Sequence, residues 1–565
     1  MKKTLSYIKP YSATVTAALI VKFAGTVAEL FLPVILEYII DDVVPAKDLI
    51  LIILMGLAML GCAAAALSGN VIANRLSVKA AGEMTHDLRY DLFAKTTYLK
   101  SGQVDSLSTP SLISRLTSDT YYVNQMVARS LRLGVRAPIL LIGGIILTFF
   151  LDVYLALVLA ACVPFVVFSI YIITKKSVPY YFDVQRGGDD MVRRMQENIT
   201  GVRVVKALSK GAYETEKFHT VSDRLAAQEF KANKLMSLTN PLATLILDLG
   251  LVALIIIGAY RSTDAGVLLA FLSFFTIILN ALLGVSKIFV VVSRGVASSD
   301  RIEKVLELDP TEKVGEYPSD NGCYAVRFKG VSFSYNGVEN NLEDIDFAVG
   351  HGQTLGIIGA TGSGKSTIVN LMMRFYDADA GAVYVDGKDV RSMDTGALRR
   401  KFGAALQNGF LMADSVRNNI DYGRNLPESK IERAVDCAQA REFADGLEGG
   451  LDYDLAQKAA NLSGGQKQRL LIARALAADP EILVLDDSSS ALDYSTDAAL
   501  RKALSENYAD CTKIIVAQRI SSVMNADLIL VMDEGRIIGR GKHEYLLGNC
   551  AEYRLIYAAQ MGEDV

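Results

Sequence analysis

The chain has 565 residues, of which 51% are hydrophobic and 21% are charged, and its formal net charge is -4. This length suggests several domains, and this balance predicts one region embedded in lipid and another that is soluble. The slightly acidic charge excludes the basic footprint of a nucleic-acid-binding protein, and the six cysteines form no CxxC motif that would indicate a zinc site or a disulfide framework.

Three uncharged, apolar runs lie in the first 300 residues, at 49–67, 153–174 and 265–286. Each has about the ~20 helical residues that cross a hydrocarbon core. Three weaker spans are expected at about 14–40, 133–151 and 235–260. The start of the chain, MKK, is interpreted as leading into the first membrane helix and not as a cleaved signal. The sequence therefore predicts an all-α transmembrane domain with six helices over residues 1–308.

The weaker spans carry ionisable or polar residues, as expected for helices that line a polar interior. Across all the spans, four polar residues are expected to face a cavity: Glu29, Asp248, Asn280 and Lys287. The alternative is that some of them lie near the interface or pair across helices.

The connections between spans alternate in length. Spans 2–3 and 4–5 are separated by about 60 residues rich in Lys and Arg, whereas the short links hold only Lys47 and Arg261. The positive-inside bias predicts a multi-pass protein of the plasma or inner membrane, with the N-terminus, both long segments and everything after span 6 in the cytoplasm.

After the last span, Ser298, Ser299 and Asp300 predict the N-cap of a separate short helix that ends at Leu308. Residues 309–323 form a linker rich in Pro, Glu, Asp and Gly, and residues 324–565 alternate strand and helix patterns. This alternation predicts an α/β domain.

Residues 359–367 read GATGSGKST, between a strand-like run and an amphipathic helix. This is the context of a P-loop, in which backbone N–H groups and the helix N-terminus hold phosphates. Lys365 is expected to reach the β- and γ-phosphates and Ser366 to bind Mg²⁺. The predicted ATP-binding residues here are Gly359, Ala360, Thr361, Gly362, Ser363, Gly364, Lys365, Ser366 and Thr367.

Two further motifs lie downstream. Residues 481–487, EILVLDD, predict a buried strand that ends at Asp486, a candidate Mg²⁺ ligand. Between the P-loop and this strand, residues 461–469 read NLSGGQKQR, where Ser463 is a good helix N-cap. Local physics alone leaves a flexible turn as an alternative for these glycines.

LSGGQ between a P-loop and such a strand resembles the signature of ABC-type ATPases, and the six spans with two long cytoplasmic segments resemble the exporter branch of that family. The resemblance assigns Tyr335 to stacking on adenine, and Gln407 to Mg²⁺ and to the side facing the membrane domain. It implies that ATP is held between the P-loop of one subunit and the signature of another. The signature residues are Leu462, Ser463, Gly464, Gly465 and Gln466, and those of the D-loop are Ser490, Ala491, Leu492 and Asp493.

The resemblance also implies a second half-transporter as partner, in a lipid bilayer, with ATP and Mg²⁺ as cofactors. Short coupling helices that press on the ATP domains are expected near residues 110–118 and 212–218.

Two positions depart from the family. Asp487 stands where members usually carry a Glu that activates the attacking water, and Gln518 stands where they carry a switch His. Asp is shorter by one C–C bond of ~1.5 Å, and a misplacement of about 1 Å costs about 100-fold in rate. Residues 454–460 also differ from the Glu-containing, Gly-rich run usual in exporters.

These departures predict that the chain is one half of a heterodimeric exporter, and in this respect it resembles the heterodimeric bacterial multidrug exporters. This chain would bind ATP at a site of low hydrolytic activity and lend its signature to the competent site of its partner. The expected substrates are amphipathic drugs, peptides or lipids. The alternatives are a homodimeric exporter or lipid flippase, and an ATP-gated regulatory or channel-like subunit.

Overall fold

The computed structural model describes residues 2–561 apart from residues 313, 321 and 489, and it does not describe the side chains of Lys2, Ser286 and Lys287. The expectation that Lys287 faces a cavity thus lies outside the described residues. Contacts divide the chain into two compact units. The helical unit comprises Met1–Thr97 and Thr109–Leu308, and the α/β unit comprises Tyr98–Ser108 and Asp309–Val565.

Long helices dominate the chain before residue 309. They are α1 (Lys2–Ser6), α2 (Ser12–Tyr38), α3 (Leu49–Thr97), α4 (Ser101–Leu107), α5 (Thr109–Ser114), α6 (Thr120–Leu151), α7 (Val153–Thr200), α8 (Val202–Ala207), α9 (Gly211–Met236), α10 (Thr239–Tyr260) and α11 (Ala265–Leu306). Within the described residues, six helical segments are long and apolar enough to cross a membrane. The prediction of six spans is therefore confirmed.

Close helix contacts hold the helical unit together. Gly25 on α2 faces Gly69 on α3 so closely that a Cβ added at Gly69 would lie 3.0 Å from the Gly25 Cα. Small residues at such a crossing let two backbones approach, which is how membrane helices gain packing contacts. Buried Phe274 and Ile278 of α11 contribute to the apolar core.

The separate capped helix predicted at residues 298–300 is wrong, because α11 continues without a break through this segment to Leu306. Ser298 and Ser299 are 1% and 0% exposed. Their side chains are buried against neighbouring elements and are not free to cap a new helix end.

The α/β unit contains two sheets. Its strands are β1 (Val326–Phe333), β2 (Leu342–Val349), β3 (Thr354–Gly359), β4 (Ala380–Val385), β5 (Lys388–Asp389), β6 (Phe402–Ala405), β7 (Ile482–Asp486), β8 (Thr512–Val516), β9 (Leu528–Asp533) and β10 (Arg536–Gly541). The strand order is β2-β1-β4-β5 in one sheet and β10-β9-β3-β8-β7-β6 in the other.

The helices of this unit surround the sheets. They are α12 (Lys365–Met372), α13 (Thr395–Arg400), α14 (Val416–Asp421), α15 (Glu428–Cys437), α16 (Arg441–Asp445), α17 (Gly464–Leu476), α18 (Tyr494–Asn507), α19 (His543–Asn549) and α20 (Ala551–Met561). In the larger sheet β3 is parallel to β8 and β9, and β7 is parallel to β6 and β8. Parallel strands end at one edge, so the segments that follow β3, β7 and β8 meet there.

The segment Tyr98–Ser108, which contains α4, groups with the α/β unit. The Gln103 side chain donates to the Asp309 carbonyl oxygen at 3.0 Å, and the Tyr376 hydroxyl donates to the Asp105 carboxylate. Residues 110–118, where the first coupling helix was expected, group with the helical unit instead. The role expected of residues 110–118 as a coupling helix stays a prediction. Residues 212–218 lie in α9, and their role stays a prediction.

Candidate ATP-binding site

The loop between β3 and α12 is shaped by glycines and closed by a lysine. Gly362 and Gly364 have φ of +88° and +94°, a left-handed conformation that glycine adopts without strain. The Lys365 ammonium donates to the carbonyl oxygens of Gly359 at 2.8 Å and Ala360 at 2.6 Å. Burial lowers the pKa of Lys365, and the Asp487 and Asp486 carboxylates oppose this change. The loop therefore holds a cation beside backbone N–H groups, an arrangement that suits phosphate.

Ser366 and Asp486 come together from different elements. The Ser366 hydroxyl donates to Asp486 Oδ1 at 3.1 Å, and Asp486 is 4% exposed at the end of β7. Burial raises the pKa of Asp486, whereas the hydrogen bond from Ser366 lowers it. A hydroxyl and a carboxylate are the oxygen ligands that Mg²⁺ prefers, so these residues fit that ion.

A cavity of about 240 Å³ unites most of the predicted ATP-site residues. Its predicted lining residues are Thr361, Gly362, Gly364, Lys365, Ser366, Thr367, Gln407, Asp486, Asp487 and Gln518. Asn341, Val516 and Ala517 also line it. They were not predicted from the sequence, because Asn341 directly precedes β2, Val516 and Ala517 lie at the end of β8, and neither position carries a recognisable motif. None of residues 462–466 or 490–493 is among the described lining residues.

Asp487 and Gln518 form a pair in this cavity. Gln518 Nε2 donates to Asp487 Oδ2 at 3.1 Å. Burial raises the pKa of Asp487, and Lys365 and Arg519 lower it. The backbone of Asp487 has φ of +49°, a strained conformation for a non-glycine residue that Asp tolerates better than most.

Hydrogen bonds from α20 hold the segment that carries Gln518. The Gln560 side chain donates to the Gln518 carbonyl oxygen at 2.8 Å and accepts from the Ile520 N–H at 2.8 Å. Sequence reasoning missed Gln560, since an isolated Gln near the end of a chain gives no signal.

Tyr335 lies beside the P-loop helix. Its hydroxyl donates to Thr367 Oγ1 at 3.5 Å and accepts from Asn370 Nδ2 at 2.9 Å. Its ring makes edge contacts with Phe333 and Tyr376 and is 47% exposed, which leaves surface free to stack on another ring.

The signature segment forms the N-terminus of α17. The Ser463 hydroxyl accepts from the Gln466 N–H at 3.3 Å, and the Gln466 side chain accepts from the Ser463 N–H at 2.8 Å, so the two residues form a capping box. Gln468 binds the next loop, because its side chain donates to Ser490 Oγ at 3.2 Å and accepts from the Ala491 N–H at 3.0 Å. Gln468 thus connects the helix that begins with the signature segment to the segment 490–493, and we call these two segments the signature surface.

Comparison with known proteins covers both units. Residues 15–282 match the family described as ABC transporter transmembrane region, and residues 342–490 match the family described as ABC transporter. The chain is 34% identical over 570 residues to the uncharacterized ABC transporter ATP-binding protein YfiB of Bacillus subtilis (strain 168), covering 100% of this chain and 99% of that protein.

One further relative and one solved structure are informative. The chain is 33% identical over 492 residues to an ATP-dependent lipid A-core flippase of Vibrio parahaemolyticus, covering 85% of this chain and 84% of the flippase. Its fold is similar to that of a bacterial Atm1-family ABC exporter solved with ATP bound, with a TM-score of 0.83, 23% identity and coverage of 98% and 99% of the two chains.

Proposed function

The chain belongs to the ABC transporters as an exporter half-transporter, and from that premise we propose that it forms one half of a heterodimer that moves amphipathic substrates out of the cytoplasm. In this proposal the N-terminus and the α/β unit lie in the cytoplasm, and the long helices lie in the plasma or inner membrane. The excess of Lys and Arg in the long segments between spans supports this orientation.

The residues around Lys365 would bind ATP. Lys365 would leave the Gly359 and Ala360 carbonyl oxygens for the phosphates, and Tyr335 would stack on the adenine ring. Ser366, Gln407 and Asp486 would hold Mg²⁺. When bound, the ion supplies charge that stabilises the phosphates. The convergence of Lys365, Ser366 and Asp486 on one cavity supports these roles.

The pair formed by Asp487 and Gln518 carries the proposal of a site with low hydrolytic activity. The Asp487 carboxylate is about 1.3 Å shorter in reach than that of Glu, given a C–C bond of ~1.5 Å. It also accepts a hydrogen bond from the Gln518 amide, a group that cannot become cationic as His can. Both groups are therefore weaker than the Glu and His of family members for activating water and holding a phosphate.

The signature surface supports a role toward a partner. Ser463 to Gln466 are intact and preformed at the start of α17, and they are not among the described residues that line the cavity of their own chain. They would complete the ATP site built on the P-loop of the partner, which would supply the missing Glu and His.

Turnover measurements test the heterodimer. The full-length chain is purified alone and together with its partner half-transporter, and ATP turnover is measured in lipid nanodiscs. We expect low turnover for the chain alone and robust turnover for the pair. Asp487→Asn in this chain should leave most of the pair's activity, whereas neutralising the Glu of the partner should abolish it.

A control separates the two sites. Lys365→Ala in the chain alone shows whether any residual turnover arises at this site. Robust turnover by the chain alone, lost in Lys365→Ala, would overturn the heterodimer and favour a homodimeric exporter.

A further inference from the structure

A second cavity lies within the helical unit, between α2, α3 and α6. It has a volume of about 510 Å³, and we call it the cationic cavity. Its polar lining consists of Lys22, Asn70, Asn74, Arg129, Arg132 and Arg136. Four of these side chains are cations, with Lys22 on α2 and the three arginines on α6.

The cations of this cavity have few acidic partners. Arg136 pairs with Glu29, with its Nη2 at 2.6 Å from Oε1. Among the residues that the structure describes, Arg129 donates to the neutral Gln125 side chain alone, at 3.1 Å. Within the described part of the chain, no carboxylate forms an ion pair with Lys22, Arg129 or Arg132. One acid thus faces four cations.

Lys22 is the most buried of these groups. It is 3% exposed, and its ammonium donates to the neutral Asn74 Oδ1 at 3.1 Å. Among the described residues, Arg132 Nε is a buried donor with no hydrogen-bond partner, and Asn70 Oδ1 is a buried acceptor with none. An ammonium has three hydrogens to donate, so two of those on Lys22 have no acceptor within the described part of the chain.

A cluster of cations with few counter-charges is energetically unfavourable inside a membrane protein unless an anion binds beside them. A buried charge without a counter-charge is strongly unfavourable, and ionisable residues within membrane spans mark substrate pathways by default. Arg presents a planar fork of donors and Lys a point charge, and together these groups suit the oxygens of a phosphate.

The depth of the cavity favours a headgroup over a free ion. Arg136 and Arg129 lie about 15 and about 22 residues before the end of α6, or about 22 and about 33 Å along a helix that rises ~1.5 Å per residue. A hydrocarbon core is about 30 Å thick, so the cations lie near one headgroup layer. In the proposed orientation this layer belongs to the cytoplasmic leaflet.

The neighbouring cavity offers an apolar continuation. It has a volume of about 270 Å³ and shares Leu133 and Arg136 with the cationic cavity. Most of its other lining residues are apolar, namely Ala137, Leu140, Ile277, Ala281 and Gly284, and its polar ones are Asn280 and Glu29, whose carboxylate is paired with Arg136. A ligand that fills both needs an anionic head and an apolar tail.

We propose that the cationic cavity binds the phosphate-bearing head of an amphiphile, and that this class of molecule is the transported substrate. The proposal rests on the exporter function above and gives its substrate a chemistry. The name of the Vibrio relative, a lipid A-core flippase, agrees with a lipid-like substrate.

The absence of tryptophan from the chain permits a direct test. Leu67→Trp places a single fluorophore on the wall of the cationic cavity, and Phe168→Trp places a control on α7, where Phe168 is 62% exposed. The full-length chain is reconstituted without nucleotide in phosphatidylcholine nanodiscs that contain a small fraction of brominated phosphatidic acid or brominated phosphatidylcholine. Bromine quenches a tryptophan that it contacts, so the ratio of quenching gives the preference for phosphatidic acid.

We expect a preference for phosphatidic acid of about tenfold at Leu67→Trp, equal to ~1.4 kcal/mol, and none at Phe168→Trp. Lys22→Gln and Arg132→Gln should each abolish most of it, Lys22→Arg should retain it, and Arg186→Gln, which removes a cation that is 82% exposed, should not change it. The two independent Gln variants guard against one that fails to fold.

Equal quenching by both lipids, or a preference unchanged in Lys22→Gln and Arg132→Gln, would overturn the proposal. A fluorescence change with inorganic phosphate alone, together with loss of the phosphatidic acid preference, would assign the cavity to a soluble phosphate and overturn the amphiphile. Because the assay contains no nucleotide, its failure leaves the turnover measurements on the ATP sites unaffected.

Discussion

Replacing Asp487 by Glu and Gln518 by His gives this chain the two side chains that family members carry at these positions. We expect ATP turnover at the site built on Lys365 to rise by up to about 100-fold, because a catalytic group about 1 Å out of place loses about that factor. This corresponds to about 2.7 kcal/mol of activation barrier. Either change alone should have a smaller effect.

The expected dependence between the two changes follows from their contact. Gln518 donates to Asp487 across 3.1 Å, and lengthening the carboxylate by ~1.3 Å removes it from that hydrogen bond. Groups in direct contact do not contribute independently, so the effect of the double variant should differ from the sum of the two single effects.

The backbone conformation at Asp487 is expected to make the Asp487→Glu variant less stable. Its φ of +49° suits Asp better than Glu, and a left-handed residue costs about 1–2 kcal/mol when its side chain does not favour that conformation. Asp487→Glu should therefore lower the apparent Tm slightly. Asp344→Glu is the matched control, since Asp344 has φ of +51° and lies outside the cavity. It should lower the Tm in the same way and leave turnover unchanged.

The assay is ATP turnover by the assembled pair in nanodiscs, with the P-loop lysine of the partner replaced by Ala, so that only this site is active. Folding is checked by thermal unfolding of each variant. A folded double variant that binds ATP and turns over no faster than the unmodified chain would refute the reasoning that Asp487 and Gln518 limit the site.

Three further outcomes are expected. Lys365→Ala should weaken ATP binding by about 10- to 100-fold in calorimetry, because each hydrogen bond to a charged group contributes about 1.5–3 kcal/mol, whereas Lys502→Ala at an exposed site should not. Asp119→Ala should lower the stability of the full chain by about 2 kcal/mol, because it strands a half-exposed arginine, and Asp183→Ala at an exposed ion pair should have little effect in the same thermal unfolding assay. On acidification, Mg²⁺-dependent nucleotide binding should weaken at a higher pH than an ordinary Asp would allow, because burial raises the pKa of Asp486 and its neutral form cannot hold the ion; a titration that tracks an unshifted carboxyl would contradict this.

Elements with strong local patterns were predictable from the sequence. Apolar runs about as long as a bilayer is thick predict the six membrane helices, and the glycine spacing before Lys365 predicts the P-loop. The parallel sheet then brings Asp486 and Gln518 to the same edge as the P-loop. The order of the motifs along the chain is consistent with this arrangement. Their roles in binding and hydrolysis remain predictions.

Features that depend on tertiary contacts were not predictable. Ser298 and Ser299 have the local pattern of a helix cap, but burial keeps them inside α11. The contact of α4 with the α/β unit depends on Asp105 meeting Tyr376, residues distant in the sequence. In the same way, Lys22 and Arg132 lie far apart in the sequence, and only helix packing brings them into one cavity.

The capping box at the start of α17 has a consequence for assembly. A hydroxyl has one hydrogen to donate and two lone pairs to accept, and Ser463 uses a lone pair to receive the Gln466 N–H. Among the described residues nothing accepts the remaining hydrogen. A phosphate bound to a neighbouring subunit would therefore meet a hydroxyl donor that the capping box already holds in place. Binding at the N-terminus of α17 would require no unwinding of the helix and little loss of conformational entropy.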